Sequence, residues 1–293
     1  MISSGERLAV GDIEVVRILD GTFRVDGGAM FGVVPRALWA QRAAPDVENR
    51  ITLALNCYLV RTPDATILLD TGVGPDVDRR HTDFYMIERG PGLFGRLESM
   101  GFTPPGIDIV VNSHLHFDHC GGNTVRTAEG KWTPAFPKAR YVVQRGEWDQ
   151  ALHPVERDKP SYMPARLKPL AETGRLVLLD RGGPIAAGVE TVLVAGHTAF
   201  HQGVRVSSGG TTFFYLADAV PTAAHIDLDY IMSYDLYPVD TFNAKKGFLA
   251  RAEAEGWILG FSHEVCHPFG TVRRHGRRLD FVPAVAAPGP ETV

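Results

Sequence analysis

The sequence predicts a layered α/β (α+β) protein. Short apolar runs rich in β-branched residues recur along the chain, segments of helical spacing separate them, and glycine-containing turns join several of them. No repeat of solenoid period is present. The 293 residues are 44% hydrophobic and 22% charged, enough apolar character to bury a large core and too much for a disordered chain.

The elements follow in order. Residues 13–19 and 51–61, β-branched and aromatic, read as strands. The run 65–70 (ATILLD) stops at Thr71-Gly72, as a buried strand ending in a turn does. Helical spacing over 93–100 is closed by Gly101 as a C-cap, and 107–111 (IDIVV) is another buried strand. The alternation then repeats with strand 140–143, a polar helix from Arg145, and strands 175–179 and 190–194. Strands 203–207 and 211–216 meet at Ser208-Gly209-Gly210. An amphipathic helix over 241–255 turns Phe242, Phe248 and Leu249 to the core, strand 257–261 follows, and a last hairpin is centred on 274–278.

Residues 152–170, rich in proline and charge, carry neither strand nor helix signal. They read as an excursion within one domain, because strands resume directly afterwards. The whole chain, 1–293, is therefore expected to be a single domain. About the first 50 residues form an extension whose GGAMFGVVPRALW segment is too apolar for a free arm and is expected to pack on a second subunit, giving a homodimer. The Pro/Ala-rich tail 284–293 is expected to fray.

Charges nearly cancel: 30 Lys+Arg against 34 Asp+Glu leaves -4, which excludes a surface built to wrap nucleic acid. The local cluster Arg273, Arg274, Arg277 and Arg278 reads as a solvated face. Cys57, Cys120 and Cys266 are widely spaced without a C-x-x-C pair, so they supply neither a disulfide framework nor a thiolate zinc site. The first residues lack a secretory pattern, and no run reaches the length of a membrane span. A soluble cytoplasmic protein without a membrane partner is the resulting expectation. One anomaly stands out, 11 histidines beside three cysteines.

The densest histidine cluster, Ser113-His114-Leu115-His116-Phe117-Asp118-His119-Cys120-Gly121-Gly122, directly follows the IDIVV strand. His114 and His116 are two apart, so an extended backbone places both on one face. Asp118 and His119 come where the strand turns, with Gly121-Gly122 permitting a tight bend. Four imidazole or carboxylate ligands within six residues can surround a point shared by two metals, and such donors suit Zn, Fe or Mn. Three further pieces each end an apolar run: His197 in AGHTAFH, Asp218 in FYLAD and His263 in ILGFSHE. His201 is the weaker ligand candidate beside His197; His81, His153, His267 and His275 are read as ordinary.

The motifs LLDTG (68–72), SHLHFDHCGG (113–122), GHTAFHQG (196–203), LAD (216–218) and FSHE (261–264), in this order, resemble the metallo-β-lactamase-fold hydrolase superfamily. Within it the chain resembles the quorum-quenching lactonase (YtnP-like) branch and is similar to methyl parathion hydrolase. The resemblance implies a four-layer αββα sandwich with two divalent metals, zinc foremost and Mn, Fe, Co or Ni as alternatives. It implies His114, His116 and His197 as ligands of one metal, Asp118, His119 and His263 of the other, and Asp218 as the bridge. Asp70 would be a carboxylate orienting a ligand histidine, or else a turn cap. The implied reaction is hydrolysis of a lactone or related ester, most like an N-acyl-homoserine lactone, by a hydroxide shared between the metals. Asp118 and Asp218 would be catalytic, with Asp218 as proton shuttle.

Relatives acting on N-acyl-homoserine lactones place a tyrosine three residues after the bridging Asp; here Pro221 stands there. That departure leaves room for aryl esters or phosphotriesters. His225 is a substitute donor or a surface histidine, and Phe31, Phe84, Tyr85 and Phe200 are candidate pocket walls. A β-CASP nuclease would need a large insertion between Asp218 and His263. A flavodiiron protein would need a Glu ligand and a flavin domain, glyoxalase II a basic helical C-terminus, and an exported β-lactamase a signal; none is visible. The alternative outside enzymes is a non-catalytic metal-bound sensor, which the intact ligand set disfavours.

Overall fold

A computed structural model describes residues 6–276 and 278–284. The chain lays down β1 (Arg7–Val10), β2 (Ile13–Asp26), β3 (Arg50–Arg61), β4 (Thr66–Leu69) and β5 (Ile109–Val111). A side hairpin of β6 (Thr124–Arg126) and β7 (Trp132–Pro134) precedes β8 (Arg140–Gln144) and β9 (Leu176–Leu179). Apart from the side hairpin, these strands form one sheet in the order β1-β2-β3-β4-β5-β8-β9, antiparallel up to β4 and parallel beyond it. The second sheet takes seven strands in sequence order: β10 (Gly183–Ala186), β11 (Val189–Leu193), β12 (Gln202–Ser208), β13 (Thr211–Tyr215), β14 (Ile258–Gly260), β15 (Phe269–His275) and β16 (Arg278–Pro283).

Side-chain alternation explains the layering. In β4, Ile67 and Leu69 face the second sheet while Leu68 faces outward; in β13, Phe213 and Tyr215 face the first sheet while Phe214 faces outward. Both faces are covered, so these strands read as continuous apolar runs rather than alternating ones. The outer face of the first sheet packs Leu93 and Leu97 of α4 (Gly92–Ser99), Trp148 of α6 (Arg145–Leu152) and Leu167 and Leu170 of α7 (Pro164–Glu172). The outer face of the second packs Leu249 and Ala252 of α8 (Pro238–Glu255). The result is the αββα sandwich of the metallo-β-lactamase fold.

Several expectations need correction. Residues 6–50 are no extension: β2 is a 14-residue strand inside the first sheet. The GGAMFGVVPRALW segment forms α1 (Gly27–Phe31) and α2 (Arg36–Trp39) and buries Met30, Phe31, Val34 and Trp39 in its own chain. Val33 (94% exposed) and Leu38 (52%) are the large apolar side chains it leaves outside. The 152–170 stretch holds all but the C-terminal end of α7, missed because Pro164 and Pro169 mask its apolar spacing; Pro164 sits in the first turn, where its missing N–H costs nothing. In α8 the buried stripe is Thr241, Lys245, Leu249 and Ala252; Phe242 does not belong to it and Phe248 is only partly covered. The hairpin at 274–278 is present between β15 and β16. Arg277 and residues 285–293, where most of the expected fraying falls, lie outside the described residues. Among the described residues no helix is long and apolar enough to cross a membrane.

Candidate metal centre

The site forms where carboxyl ends of strands from both sheets meet. Asp70 follows β4, the Ser113–His119 segment follows β5 and leads into α5 (Phe117–Cys120), His197 follows β11, Asp218 follows β13 and His263 follows β14. Open α/β sheets gather ligands at such ends. The glycines after α5 are needed for close approach rather than for a bend. A Cβ on Gly121 would stand 2.3 Å from Val73 O, and one on Gly122 2.4 Å from Thr71 O, which keeps the β4 loop against the histidine loop.

The seven residues named for the metals come together. One ligand atom each of His114, His116 and His197 lies within 4.8 Å of the other two, and the same holds for Asp118, His119 and His263. Asp218 reaches both groups: Oδ1 is 3.2 Å from His119 Nε2 and 3.1 Å from His263 Nε2, and Oδ2 is 3.5 Å from His197 Nε2. Its own backbone is placed by Ala217, held at φ 44, a left-handed conformation that costs a non-glycine residue about 1 kcal/mol. Ser262 Oγ donates to Asp218 Oδ1 at 2.9 Å.

Every ligand histidine has its outer nitrogen engaged by the protein. His119 Nδ1 donates to Asp70 Oδ2 (2.8 Å), His263 Nδ1 to Ala54 O (2.8 Å), His114 Nδ1 to Ser113 Oγ (3.0 Å), His197 Nδ1 to Asp235 Oδ1 (2.9 Å), and His116 Nε2 to Asp158 Oδ2 (3.4 Å). Asp70, at φ 54, accepts further bonds from Ser113 N, Ser113 Oγ and Tyr215 OH, each at 2.7 Å. The inner nitrogens are the unsatisfied ones. His114 Nε2 and His119 Nε2 are buried without a hydrogen-bond partner, and His116 Nδ1 faces His197 Nε2 at 3.1 Å. Buried orphaned acceptors and two imidazole nitrogens facing each other call for cations between them. The residues therefore fit a pair of divalent ions, held by nitrogen and carboxylate oxygen with no thiolate.

The buried carboxylates favour positive charge at the centre, which a bound cation or a proton on an imidazole can supply. Burial and the neighbouring His119 push the His114 ring well below its ordinary value, keeping it neutral. Burial also works against charge on His197 and His119. The Asp235 hydrogen bond and nearby Asp218 overcome it at His197, holding the value up at about 8, and Asp218 and Asp118 raise His119 well above the usual range. His201 is no ligand. Burial takes it to about 3, and the neutral ring donates to Val194 O while accepting from Asp218 N–H at 3.2 Å.

A small cavity of about 70 Å³ opens on the cluster, lined by Phe23, Val25, Met30, Leu53, Tyr85, Phe117, Ser161, Met232 and Tyr234 besides the ligands. No Lys or Arg lines it among the described residues. Of the six side chains expected around the substrate, Tyr85 alone is on this wall. Phe31 is fully buried, stacked between Trp39 and His225, and reaches a separate cavity behind His263. His225 is no surface donor: it is buried, with Nδ1 against Thr222 Oγ1 (2.7 Å) and Nε2 against Met30 O (2.9 Å). Phe84 is exposed on α3 (Arg79–Tyr85), beside an outer groove of about 370 Å³ that shares Tyr85. Phe200 lies over Gly146 of α6, outside the site, and Pro221 meets the centre only through its carbonyl, which accepts from His263 N at 2.9 Å.

Sequence reasoning missed Asp158, Asp235, Glu147 and Tyr234. Glu147, fully buried, accepts from Leu115 N (3.0 Å), Thr198 Oγ1 (2.6 Å) and Tyr162 OH (3.1 Å), tying two ligand loops to α6. Only an unusual placement of acids, in a proline-rich stretch and between tyrosines, signals them in sequence.

Comparison with known proteins completes the picture. The chain is 31% identical over 227 residues to an N-acyl homoserine lactonase, AttM, of Rhizobium radiobacter, covering 71% of this chain and 80% of that one. It is 25% identical over 168 residues to the N-acyl homoserine lactonase AiiA of Bacillus thuringiensis subsp. kurstaki, covering 54% of this chain but only 60% of the relative's length. A probable metal-dependent hydrolase from Staphylococcus aureus superposes with a TM-score of 0.88 at 25% identity, over 96% of this chain and 100% of the other. Residues 51–263 match the metallo-beta-lactamase superfamily, and with the ligand order and the αββα layers already described, the chain belongs to that superfamily.

Proposed function

We propose that this protein is a metal-dependent hydrolase of uncharged lactones or related esters, N-acyl-homoserine lactones being the nearest class, working on two divalent ions, zinc foremost. The observation that carries the reading is the pair of ligand trios sharing Asp218 at the floor of an apolar cavity that no Lys or Arg lines. Such a wall offers no cationic side chain to an anionic group, which favours a neutral substrate. The lack of cationic side chains suits a neutral phosphotriester or aryl ester equally, and Pro221 after the bridging Asp keeps that second reading in play.

When bound, the two ions supply an ionised water nucleophile near neutral pH and Lewis acidity toward the scissile oxygen. The chain's own residues do the rest. His114, His116 and His197 would hold one ion and Asp118, His119 and His263 the other, with Asp218 within reach of both groups. Asp218, fixed by Ser262 and by His201 through its N–H, would take the proton that remains on the attacking oxygen and return it to the leaving oxygen. Phe23, Met30, Phe117 and Met232 exclude bulk water, and the outer groove beside Phe84 and Tyr85 has room for the part of the substrate that a 70 Å³ cavity does not.

Asp218→Asn tests the reading, since it preserves shape and removes the basic oxygen: kcat on a lactone falls about 100-fold or more. Unchanged kcat in the zinc-loaded variant contradicts the assignment. Two lesser parts of the proposal are a homodimer through the exposed Val33–Leu38 face, checked by light scattering, and a cytoplasmic location, supported by three free cysteines.

A further inference from the structure

We infer that Asp158 and Asp235 form a carboxylate clamp that sets the metal affinity of one half of the centre, the His114/His116/His197 half, separately from the other half. This rests on the two-metal reading above.

The two halves are braced differently except at His114, which leans through Ser113 on the same Asp70 as His119. His119 and His263 lean on the first sheet and its ends, through Asp70 after β4 and the carbonyl of Ala54 in β3. His116 and His197 lean on two irregular segments that no superfamily motif of the sequence contains. Asp158 precedes a short turn between α6 and α7; its Oδ1 and Oδ2 stand 3.2 and 3.4 Å from His116 Nε2, and Gln150 Nε2 donates to Oδ2 at 3.3 Å. Asp235 lies in the loop before α8, which is strapped to the His197 loop by Leu236 N to His197 O (3.1 Å) and Tyr237 N to Gly196 O (2.9 Å). The two segments also hold each other, because the guanidinium of Arg157, next to Asp158, donates to Ser233 O at 2.5 Å. Both carboxylates are buried.

The chemistry follows from which nitrogen each acid takes. Asp158 engages Nε2 of His116 and leaves Nδ1 inward, whereas Asp235 engages Nδ1 of His197 and leaves Nε2 inward. Each acid fixes the tautomer and the ring plane, and a carboxylate acceptor makes the inner nitrogen a stronger donor to a cation. The inner nitrogens, 3.1 Å apart, thus present two oriented lone pairs to one ion. Asp158 and Asp235 are positioning residues, acting through the imidazoles without touching the substrate.

The test is zinc binding by the full-length protein, measured by competition with a chromophoric chelator, for wild type, Asp235→Asn and Asp158→Asn. An Asn oxygen still accepts the imidazole N–H, so shape is kept while charge is lost. Far-UV circular dichroism of the metal-free proteins reports folding, and the visible spectrum of the cobalt-substituted proteins reports coordination. Wild type is expected to bind two equivalents. In each variant one equivalent weakens about 10–100-fold, the other keeps its affinity, and the cobalt spectrum changes for the weakened equivalent alone. Two equivalents of wild-type affinity in both variants, or equal weakening of both equivalents, overturn the clamp. A wild-type protein that binds no zinc overturns the two-metal reading itself.

Discussion

His116 Nδ1 and His197 Nε2 face each other at 3.1 Å while the opposite nitrogen of each ring is bound to an aspartate. Facing imidazole nitrogens so committed are relieved by a cation, and binding to the folded state alone stabilises it. Zinc at 100 times its dissociation constant is expected to raise the unfolding free energy by about 3 kcal/mol for one site, read as a shift in urea midpoint against the chelator-treated protein. Identical midpoints would mean that the cluster holds no metal.

Tyr85 and Tyr234 line the cavity together with Phe23, Met30, Phe117 and Met232. Burial raises both pKa values, Tyr234 to about 12, so both remain donors across the neutral range. Tyr85→Phe and Tyr234→Phe should each lower kcat/KM on a lactone about 10-fold with unchanged zinc content, as loss of one hydrogen bond to a bound polar group does. Steady-state kinetics beside metal analysis reads this, and full activity in both variants removes the tyrosines from recognition.

Gly121 and Gly247 make a contrasting pair. An added methyl at Gly121 meets backbone at 2.3 Å, whereas one at Gly247, inside α8, meets nothing within 4 Å. Gly121→Ala should destabilise by about 1–3 kcal/mol and loosen the histidine loop, and Gly247→Ala should stabilise by about 1 kcal/mol. Denaturant titration of both decides whether the tight approach of loops is what Gly121 supplies.

Lys245 is buried in the α8 stripe, its ammonium donating to Asp227 O at 2.9 Å and Tyr230 O at 2.7 Å. Burial lowers its pKa from 10.5 to about 7. Between those values the unfolded chain binds more protons than the folded one, so this group's destabilising effect is full below pH 7 and is relieved as pH rises toward 10.5. Melting temperatures from pH 7 to 10 should climb more steeply in wild type than in Lys245→Met; parallel slopes would contradict a depressed lysine.

The sandwich was legible because its strands, covered on both faces, are continuous apolar runs such as 65–70 and 211–216. The candidate ligands were legible because each ends such a run, and the family resemblance carried their grouping. What stayed hidden depends on contacts distant in sequence. Asp235 lies 38 positions from the histidine it supports and Asp158 lies 42 from His116, with no local spacing to mark either. The aromatic residues misled for a related reason. Phe31 and His225 satisfy each other by stacking at 4.6 Å, a partnership that a list of residue types does not reveal. Helix α7 was masked by its prolines, and the buried Lys245 broke the apolar stripe that α8 uses.

The most direct test of the central claim is turnover of a panel of γ-lactones of varied acyl length, aryl esters and neutral phosphotriesters by protein carrying a measured two equivalents of zinc. The account predicts lactone or ester hydrolysis that disappears on full chelation and returns with zinc. Protein with both equivalents in place and no turnover of any member, or turnover that survives complete metal removal, would contradict it.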